Sequence, residues 1–383
     1  MSRNPIDRRS FLKLGSLGLA LGAGAATSVH AQEGEGSAAA TEGLAYRTLG
    51  RTGMKVTVVG VGAMRTSEPA VLQAAFDRGV NFVHTGRGYM NGRNQGIVAK
   101  ALKGYRDRVF VATKVKSSSK EDLLQKVDES LKALEVDYVD IATRGDAASA
   151  EDVMNPEFRE ALAQVREEGK VRFVGVPTHK NEAEVLNALA DDKDKFYDVV
   201  LVAYNFKRDK TLKDAIARAS QAGIGVIAMK TQAGGYETDE LGDISPHQAA
   251  LKWVLQDPNI HMAIPAMVDL DQVKEDTEVM GMPLTEVDKQ ILSRYGDAIA
   301  PYYCTGCADC DGTCPESVDI AKVNRCLMYA EGYRDLDLAR ATYASLPATL
   351  SAARCGDCLE CIAKCANGLD IPSKMARANA LFA

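Results

Sequence analysis

The chain has 383 residues and a formal net charge of −6, with 46% hydrophobic and 26% charged residues. This length suggests about two domains, and the composition is that of an ordinary globular protein. No run of lysine and arginine stands out, so a nucleic-acid partner is not expected. All nine cysteines lie between Cys304 and Cys365, which argues against a disulfide scaffold, because disulfides would be spread over the fold that they crosslink.

The N-terminal segment has the pattern of an export signal. Arg8 and Arg9 precede Phe-Leu-Lys, an apolar stretch rich in glycine and alanine covers Leu14–Ala26, and a small-x-small cleavage motif follows. The paired arginines resemble a bacterial twin-arginine signal. We therefore predict a signal peptide over residues 1–31, a disordered linker over 32–43, and a periplasmic protein with no stable membrane span after signal removal. An ordinary secretory signal or an uncleaved anchor is the alternative.

The middle of the chain alternates between short Val/Ile-rich runs and amphipathic helical patterns. The predicted strands are 55–62, 80–84, 108–115, 138–143, 171–176, 198–203, 224–230 and 260–266, and clear helical patterns cover Lys120–Ala133, Glu157–Glu168 and Thr211–Gln221. Eight strands alternating with helices predict an α/β fold, a (β/α)8 TIM barrel, over residues 44–296. A hairpin over 46–54 is expected to close its bottom. A doubly wound sheet is the rival, but the best dinucleotide loop, at Gly60, lacks the third glycine.

Two cysteine runs follow the predicted barrel. Both have the spacing C-x2-C-x2-C-x3-C, and their members are Cys304, Cys307, Cys310 and Cys314, then Cys355, Cys358, Cys361 and Cys365. This is the bacterial ferredoxin spacing, in which the fourth cysteine of each run binds the other cluster. We therefore expect two [4Fe–4S] clusters, with Cys365 completing the first site and Cys314 the second. Zinc, whose four ligands usually come from two CxxC pairs, fits this spacing poorly.

The segment between the two runs has apolar residues at helical spacing. These residues are Ile320, Val323, Leu327 and Ala330. Their spacing favours a small helical ferredoxin-like domain over residues 297–383. Cys326 lies on the same predicted helix outside both runs, and we expect it to be a buried small apolar residue.

Barrel enzymes place their chemistry at the carboxyl ends of the strands. The polar side chains at or just after those ends are His84, Tyr89, Lys114, Arg144, His179, Tyr204, Asn205 and Lys230. His84 is interpreted as a hydrogen-bonded residue of the barrel mouth, with a metal ligand or proton carrier as the alternative.

The motifs around these positions resemble those of the aldo-keto reductase family, in particular the branch with a C-terminal ferredoxin-like module. The matching segments are Gly79-Val80-Asn81-Phe82, Val109 to Lys114, Asp137-Tyr138-Val139-Asp140, Gly169 to Val176, Tyr204-Asn205-Phe206, Gly225 to Lys230 and Ala250 to Leu255. The resemblance implies a (β/α)8 barrel that reduces carbonyls with NADPH through an Asp-Tyr-Lys-His tetrad, in which tyrosine is the general acid.

The resemblance implies an incomplete tetrad in this chain. Tyr89 and Lys114 stand at matching positions, but His84 takes the aspartate position and Gly145 or Arg144 takes the histidine position. Without its carboxylate partner, Lys114 is expected to have a lowered pKa and to activate Tyr89 less. The catalytic candidates are therefore Tyr89, Lys114 and His84.

The positions that would hold NADPH also depart from the family pattern. The Ser-Asn after the fifth strand reads Pro177-Thr178, a glutamine of the sixth strand reads Leu201, and the loop after the eighth carries Asp269 and Asp271, which would repel a 2′-phosphate. These changes argue against NADPH binding. The remaining candidates for cofactor binding are Tyr204, Asn205, Gly234 and Gly235.

Three functions remain open at this point. The favoured one is an exported redox protein that exchanges electrons with an unknown redox partner, with the barrel as a docking surface or binding pocket. The second is an active reductase that reduces a small carbonyl substrate bound over Tyr89. The third is a non-catalytic binding protein whose clusters only stabilise the C-terminal domain.

Overall fold

A ring of parallel strands surrounded by helices forms most of the molecule. The structure is a computed structural model and describes residues 44–238, 241, 245–307, 309–310, 312–358 and 360–382, so the predicted signal peptide (1–31) and linker (32–43) lie outside the described residues. The strands are β1 (Tyr46–Thr48), β2 (Lys55–Thr57), β3 (Val61–Gly62), β4 (Phe82–Gly86), β5 (Phe110–Val115), β6 (Val139–Arg144), β7 (Val171–Thr178), β8 (Val199–Ala203), β9 (Gly225–Met229) and β10 (Met262–Ala263). The α-helices are α1 (Pro69–Asp77), α2 (Asn94–Leu102), α3 (Lys120–Leu134), α4 (Ala150–Met154), α5 (Pro156–Glu167), α6 (Glu182–Asp191), α7 (Lys210–Gln221), α8 (Pro246–Leu255), α9 (Leu270–Glu278), α10 (Glu286–Ile299), α11 (Ile320–Glu331), α12 (Leu336–Ala344) and α13 (Ile371–Phe382).

Strands β3 to β10 form one sheet of eight parallel strands in sequence order. The two edges of this sheet meet, because Val59 forms a parallel bridge with Ala263. The amides of Gly60 and Gly62 also donate to the carbonyl oxygens of Ala263 and Pro265, each at 2.8 Å. The predicted (β/α)8 barrel is confirmed.

Two apolar layers stabilise the barrel. One fills its interior, with Phe82, Ile141 and Leu201 among its buried residues, and the other lies between the strands and the surrounding helices. Both faces of each strand are therefore buried, which explains why the strands are nearly continuous runs of valine, isoleucine and alanine. The predicted helices over 120–133, 157–168 and 211–221 correspond to α3, α5 and α7, with ends shifted by one residue.

The first predicted strand, 55–62, is wrong as a single element. Residues 55–57 instead pair antiparallel with β1, so the predicted hairpin reaches beyond 54, and only β3 joins the barrel. Where β2 ends, the Thr57 amide and hydroxyl donate to Asn81 Oδ1 at 2.8 and 3.2 Å. These bonds turn the chain from the hairpin into the barrel. Two short strands in one apolar run have the same alternation as one long strand, so the pattern alone does not separate them.

The C-terminal region is helical, as predicted. Ile320, Val323 and Leu327 are buried on α11 in a cluster with residues of α13, and Cys326 is fully buried, as expected of a small apolar residue. Helix α10 runs across the predicted boundary at 296/297, and the described chain from residue 44 onwards belongs to one compact unit. The domain boundary stays a prediction. Among the described residues, the helices include none that combines the length and apolar character needed to cross a membrane.

Helix α11 lies over the barrel mouth and is held there by close contacts. The Asn205 side-chain amide donates to the Tyr303 hydroxyl at 2.7 Å, and Arg208 donates to the carbonyl oxygen of Thr305. Gly332, at the end of α11, is so close to the carbonyl of Gly234 that any Cβ at residue 332 would overlap it. The C-terminal region therefore contributes side chains to whatever site the barrel mouth forms.

Candidate functional site

The carboxyl ends of the barrel strands and helix α11 enclose one cavity of about 410 Å³. This volume is in the range of pockets that hold small molecules. Its lining includes five of the seven barrel residues that the sequence analysis selected, which are His84, Tyr89, Lys114, Gly234 and Gly235. Tyr204 and Asn205 are not part of the lining.

Lys114 has a carboxylate partner, contrary to expectation. Its Nζ lies 2.5 Å from Asp146 Oδ1. Although burial raises the pKa of the Asp146 carboxyl, Lys114 and then His179 hold that pKa below its ordinary value. The expectation of an unpaired Lys114 was wrong because the carboxylate comes from the loop after β6 rather than from the family's aspartate position on β4.

Tyr89 and His84 lie side by side in the cavity, with ring centroids 6.1 Å apart. Burial raises the pKa of Tyr89, and Asp146 and Tyr329 raise it further, so this phenol is held protonated. Burial, and then Lys114, lower the pKa of His84 to about 3, so its imidazole is neutral near pH 7. Among the described residues His84 Nε2 has no hydrogen-bond partner, which differs from the hydrogen-bonded role predicted for it.

Helix α11 supplies three cavity residues that the sequence analysis missed, Lys322, Arg325 and Tyr329. The Lys230 ammonium donates to the Tyr329 hydroxyl at 3.3 Å. Burial would raise the pKa of Tyr329, but Lys230, Arg325 and Lys114 together lower it below the ordinary tyrosine value. A signal was available, since Lys322, Arg325 and Tyr329 recur at helical spacing on the face opposite to the apolar one.

Tyr204 and Asn205 serve the fold rather than the cavity. The Tyr204 hydroxyl donates to Asp257 Oδ2 at 2.9 Å, and its ring packs 5.1 Å from that of Trp253 in the layer between strands and helices. Asn205 donates to the carbonyl oxygen of Lys230 and to Tyr303. Neither side chain points into the cavity, so the structure gives no support to cofactor binding by this pair.

The Gly234-Gly235 turn lies against helix α11. Gly234 has a φ of +94°, and a Cβ there would come within 2.7 Å of the Tyr236 ring and 3.1 Å of Met328. Glycine is therefore required for the turn and for the approach of α11. This turn, a candidate for cofactor binding, is therefore packed against side chains of the protein itself.

The positions predicted to have lost NADPH contacts have structural roles. Leu201 is fully buried in the barrel interior. Asp269 caps helix α9 by accepting the Gln272 amide at 2.8 Å. Glu275 and the buried Asp276 of α9 line the same end of the cavity, so this end is acidic.

Four cysteines from the two runs form a first group. Cys304 interacts electrostatically with Cys310, Cys365 and Cys307, and burial, followed by these thiols, raises the pKa of Cys304 to about 12. Asn367 donates its backbone amide to Cys365 Sγ at 3.4 Å and its side-chain amide to Cys307 Sγ at 3.5 Å. The group combines three members of the first run with the last cysteine of the second.

The other four cysteines form a second group. Burial raises the pKa of Cys355, and Cys314, Cys358 and Cys361 add to that effect. The two groups have the crossed membership that the ferredoxin spacing predicts. None of the nine cysteines forms a disulfide, and within the described part of the chain no three His, Cys, Asp or Glu side chains converge as ligands of one metal ion. The four cysteines of a [4Fe–4S] cluster lie farther apart than the ligands of one metal ion, because each thiolate binds a different iron.

Comparison with known proteins identifies the barrel. The sequence model of the Aldo/keto reductase family matches residues 60–241. L-galactose dehydrogenase of Arabidopsis thaliana is 30% identical over 217 residues, which cover 51% of this chain and 67% of that protein. The chain belongs to the aldo/keto reductase family.

Other members of the family match a larger share of the barrel at lower identity. Methylglyoxal reductase DkgB of Escherichia coli O157:H7 is 23% identical over 255 residues, which cover 63% of this chain and 93% of that protein. An aldo/keto reductase of Klebsiella pneumoniae, solved in complex with NADP and acetate, superposes with a TM-score of 0.56 at 24% identity, over 65% of this chain and 94% of the other. At that identity the superposition establishes the fold alone.

Proposed function

We propose that this family member is an exported iron–sulfur redox protein that exchanges electrons through two [4Fe–4S] clusters, on a barrel whose NADPH site has degenerated. The observation that carries the proposal is the division of the eight run cysteines into two groups of four with crossed membership. One zinc ion, with four ligands, would leave four of these cysteines without a metal, and two zinc ions would need four-ligand sites with a spacing unusual for zinc.

The surroundings of both groups suit thiolates that bind a cluster. Cys310 is buried, and Cys314, Cys355 and Cys365 pack against the same apolar cluster around α11 and α13. The N–H groups of Asn367 point at two of the sulfurs, and such bonds favour the negative charge of cluster-bound thiolates. When bound, each cluster supplies one-electron exchange, and its ligation contributes to folding of the C-terminal region.

Iron, acid-labile sulfide and zinc analysis of the anaerobically purified chain tests this proposal. Iron and sulfide in equal amounts are expected, with little zinc. Stoichiometric zinc without sulfide would contradict the proposal.

Asn367→Ala is expected to lower the reduction potential of one cluster. The substitution removes the side-chain N–H from Cys307 Sγ, and N–H···S bonds stabilise the more negative, reduced state. A potentiometric titration followed by electron paramagnetic resonance measures both clusters at once. The second cluster, which Asn367 does not contact, is the internal control, and an equal shift of both clusters or of neither would count against the ligand sets.

Export depends in this proposal on the paired arginines. Changing Arg8 and Arg9 to lysine together is expected to leave the chain in the cytoplasm, because a twin-arginine signal requires them. Cell fractionation of a bacterial host with the cluster-assembly machinery measures the distribution. Arg3→Lys is the matched control and is expected to be exported normally, and export of the double variant at the normal level would point to an ordinary secretory signal.

An active carbonyl reductase is the second candidate function. Tyr89, Lys114 and Asp146 line one cavity, so a phenol, a lysine and its carboxylate are present in the same place, although the carboxylate comes from the loop after β6. The acidic end of the cavity at Glu275 argues against binding of the NADPH phosphates.

NADPH binding separates the two candidates. We expect no quenching of protein fluorescence and no bleaching of cluster absorbance when NADPH is added anaerobically, and we expect Tyr89→Phe to leave electron transfer to a small acceptor unchanged. Tight binding, with loss of NADPH-dependent activity in Tyr89→Phe, would establish the reductase instead.

A further inference from the structure

The part of the cavity next to helix α11 carries more positive charge than the protein neutralises. Its cations are Lys114, Lys116, Lys230, Lys322 and Arg325, and the carboxylate among them is Asp146. Asp146 is engaged with Lys114 at 2.5 Å. The remaining cations therefore repel one another across a half-enclosed space.

Arg325 is the clearest case. Tyr329, Asp146 and Asp319 lie within electrostatic range and raise its pKa against the effect of burial, but its guanidinium forms no hydrogen bond or ion pair with any residue in the described ranges. The Lys230 ammonium donates to the Tyr329 hydroxyl and, among the described residues, forms no ion pair with a carboxylate. Burial lowers the pKa of Lys230, Tyr329 partly offsets this effect, and the like charges of Arg325 and Lys114 lower the pKa further.

Buried polar atoms along the same cavity also lack partners. His84 Nε2, His179 Nδ1 and Thr231 Oγ1 have no hydrogen-bond partner among the described residues, and all three residues line the cavity. Thr231 is 1% exposed and His84 5%, so bulk water reaches neither freely. Unsatisfied buried polar groups are costly, and several around one cavity indicate a polar ligand.

We propose that this cavity binds a small carboxylate, with Arg325 and Lys230 as the charge partners of the carboxylate oxygens. A guanidinium binds a planar carboxylate through two parallel N–H bonds, which a lysine-only site lacks. Inorganic phosphate fits less well, because it carries up to two negative charges on one group in a cavity that Asp146 and Glu275 also line, whereas each carboxylate group carries one. The inference goes beyond electron transfer and holds whether or not the bound molecule is reduced.

Calorimetric titration of the cluster-loaded full chain with succinate tests the inference, with inorganic phosphate as the second probe. Succinate is expected to bind at one site per chain and phosphate to bind more weakly. Arg325→Met is expected to weaken succinate binding about tenfold or more, the loss typical of a charged hydrogen bond. Arg325→Lys keeps the positive charge but loses the two parallel N–H donors. Its succinate affinity is expected to lie between that of the unaltered protein and that of Arg325→Met.

Arg218→Met is the matched control, because Arg218 lies on the outer helix α7 in an exposed pair with Asp191. Its affinity for succinate is expected to be unchanged. Absence of succinate binding to the unaltered protein, equal affinity in Arg325→Met, or tighter binding of phosphate would each overturn the inference. The melting temperature of each variant shows whether a loss of binding reflects a loss of fold. If Arg325→Met does not fold, the succinate affinity of Arg325→Lys tests the inference instead.

Discussion

Replacing Cys307 or Cys358 by serine is expected to remove about half of the iron and acid-labile sulfide from the purified chain. Each variant removes one thiolate from one group of four and leaves the other group complete. Because cluster ligation contributes to folding, the C-terminal region should also unfold at lower temperature in both variants. Metal and sulfide analysis, with the melting temperature, gives both results.

The ninth cysteine provides the control for these two variants. Cys326 is fully buried on α11 and belongs to neither group. Cys326→Ala removes one sulfur from the core and is expected to keep the full iron and sulfide content. A full content in Cys307→Ser or Cys358→Ser, or a loss in Cys326→Ala alone, would refute the ligand sets.

Arg208→Met is expected to lower the free energy of unfolding by about 3–5 kcal/mol, the cost of breaking a buried ion pair on one side. Arg208 Nη2 lies 2.7 Å from Glu182 Oε2, with only 7% and 2% of the two side chains exposed. Its second nitrogen donates to the carbonyl oxygen of Thr305, between Cys304 and Cys307. The substitution should therefore also make the first cluster more sensitive to chelators, as measured by loss of absorbance under a fixed excess of chelator.

Arg218→Met is the control that distinguishes the loss of the buried Arg208–Glu182 pair from the mere loss of one positive charge. Arg218 pairs with Asp191, and 50% and 63% of the two side chains are exposed. An exposed pair contributes at most about 1 kcal/mol, so the control is expected to change stability little and cluster lability not at all. Equal stability of the two variants in anaerobic denaturant titration would show that Arg208 does not tie the cysteine loop to the barrel.

The fold was largely predictable because the barrel strands are buried on both faces. Such strands are uninterrupted runs of apolar residues, and seven of the eight predicted runs each overlap one strand. The run 55–62 was misread, since the side chain of Asn81, distant in sequence, decides where the hairpin ends and the barrel begins. A contact between residues distant in sequence does not change the local spacing of apolar residues.

The barrel site was only partly predictable. Lys114, Tyr89 and His84 were found because they stand at the ends of strands. Asp146 is not predicted by the family pattern, which places its histidine position at Gly145 or Arg144. The loop after β6, rather than the strand, brings the Asp146 carboxylate to Lys114. Arg325 reaches the same cavity from a different part of the chain, and no spacing rule connects a strand end to a helix some 180 residues later.

The assignment of the two cysteine runs to clusters stays a prediction. The spacing within each run allows three residues to surround one side of a cubane, and the crossed assignment of Cys314 and Cys365 follows from two-cluster ferredoxins. The packing of α11 and α13 explains how the runs meet, because both helices share one apolar cluster with Cys310, Cys314, Cys355 and Cys365. Local spacing and global packing therefore agree in this region.

Anaerobic reductive titration of the purified chain, followed by electron paramagnetic resonance at low temperature, tests whether the protein transfers electrons through iron–sulfur clusters. Two [4Fe–4S] signals are expected to appear on reduction and disappear on reoxidation, with potentials within the range of iron–sulfur clusters, about −700 to +450 mV. A chain that holds zinc instead of iron would contradict the iron–sulfur assignment. Iron–sulfur clusters that cannot be reduced reversibly would leave them a structural role and contradict electron transfer.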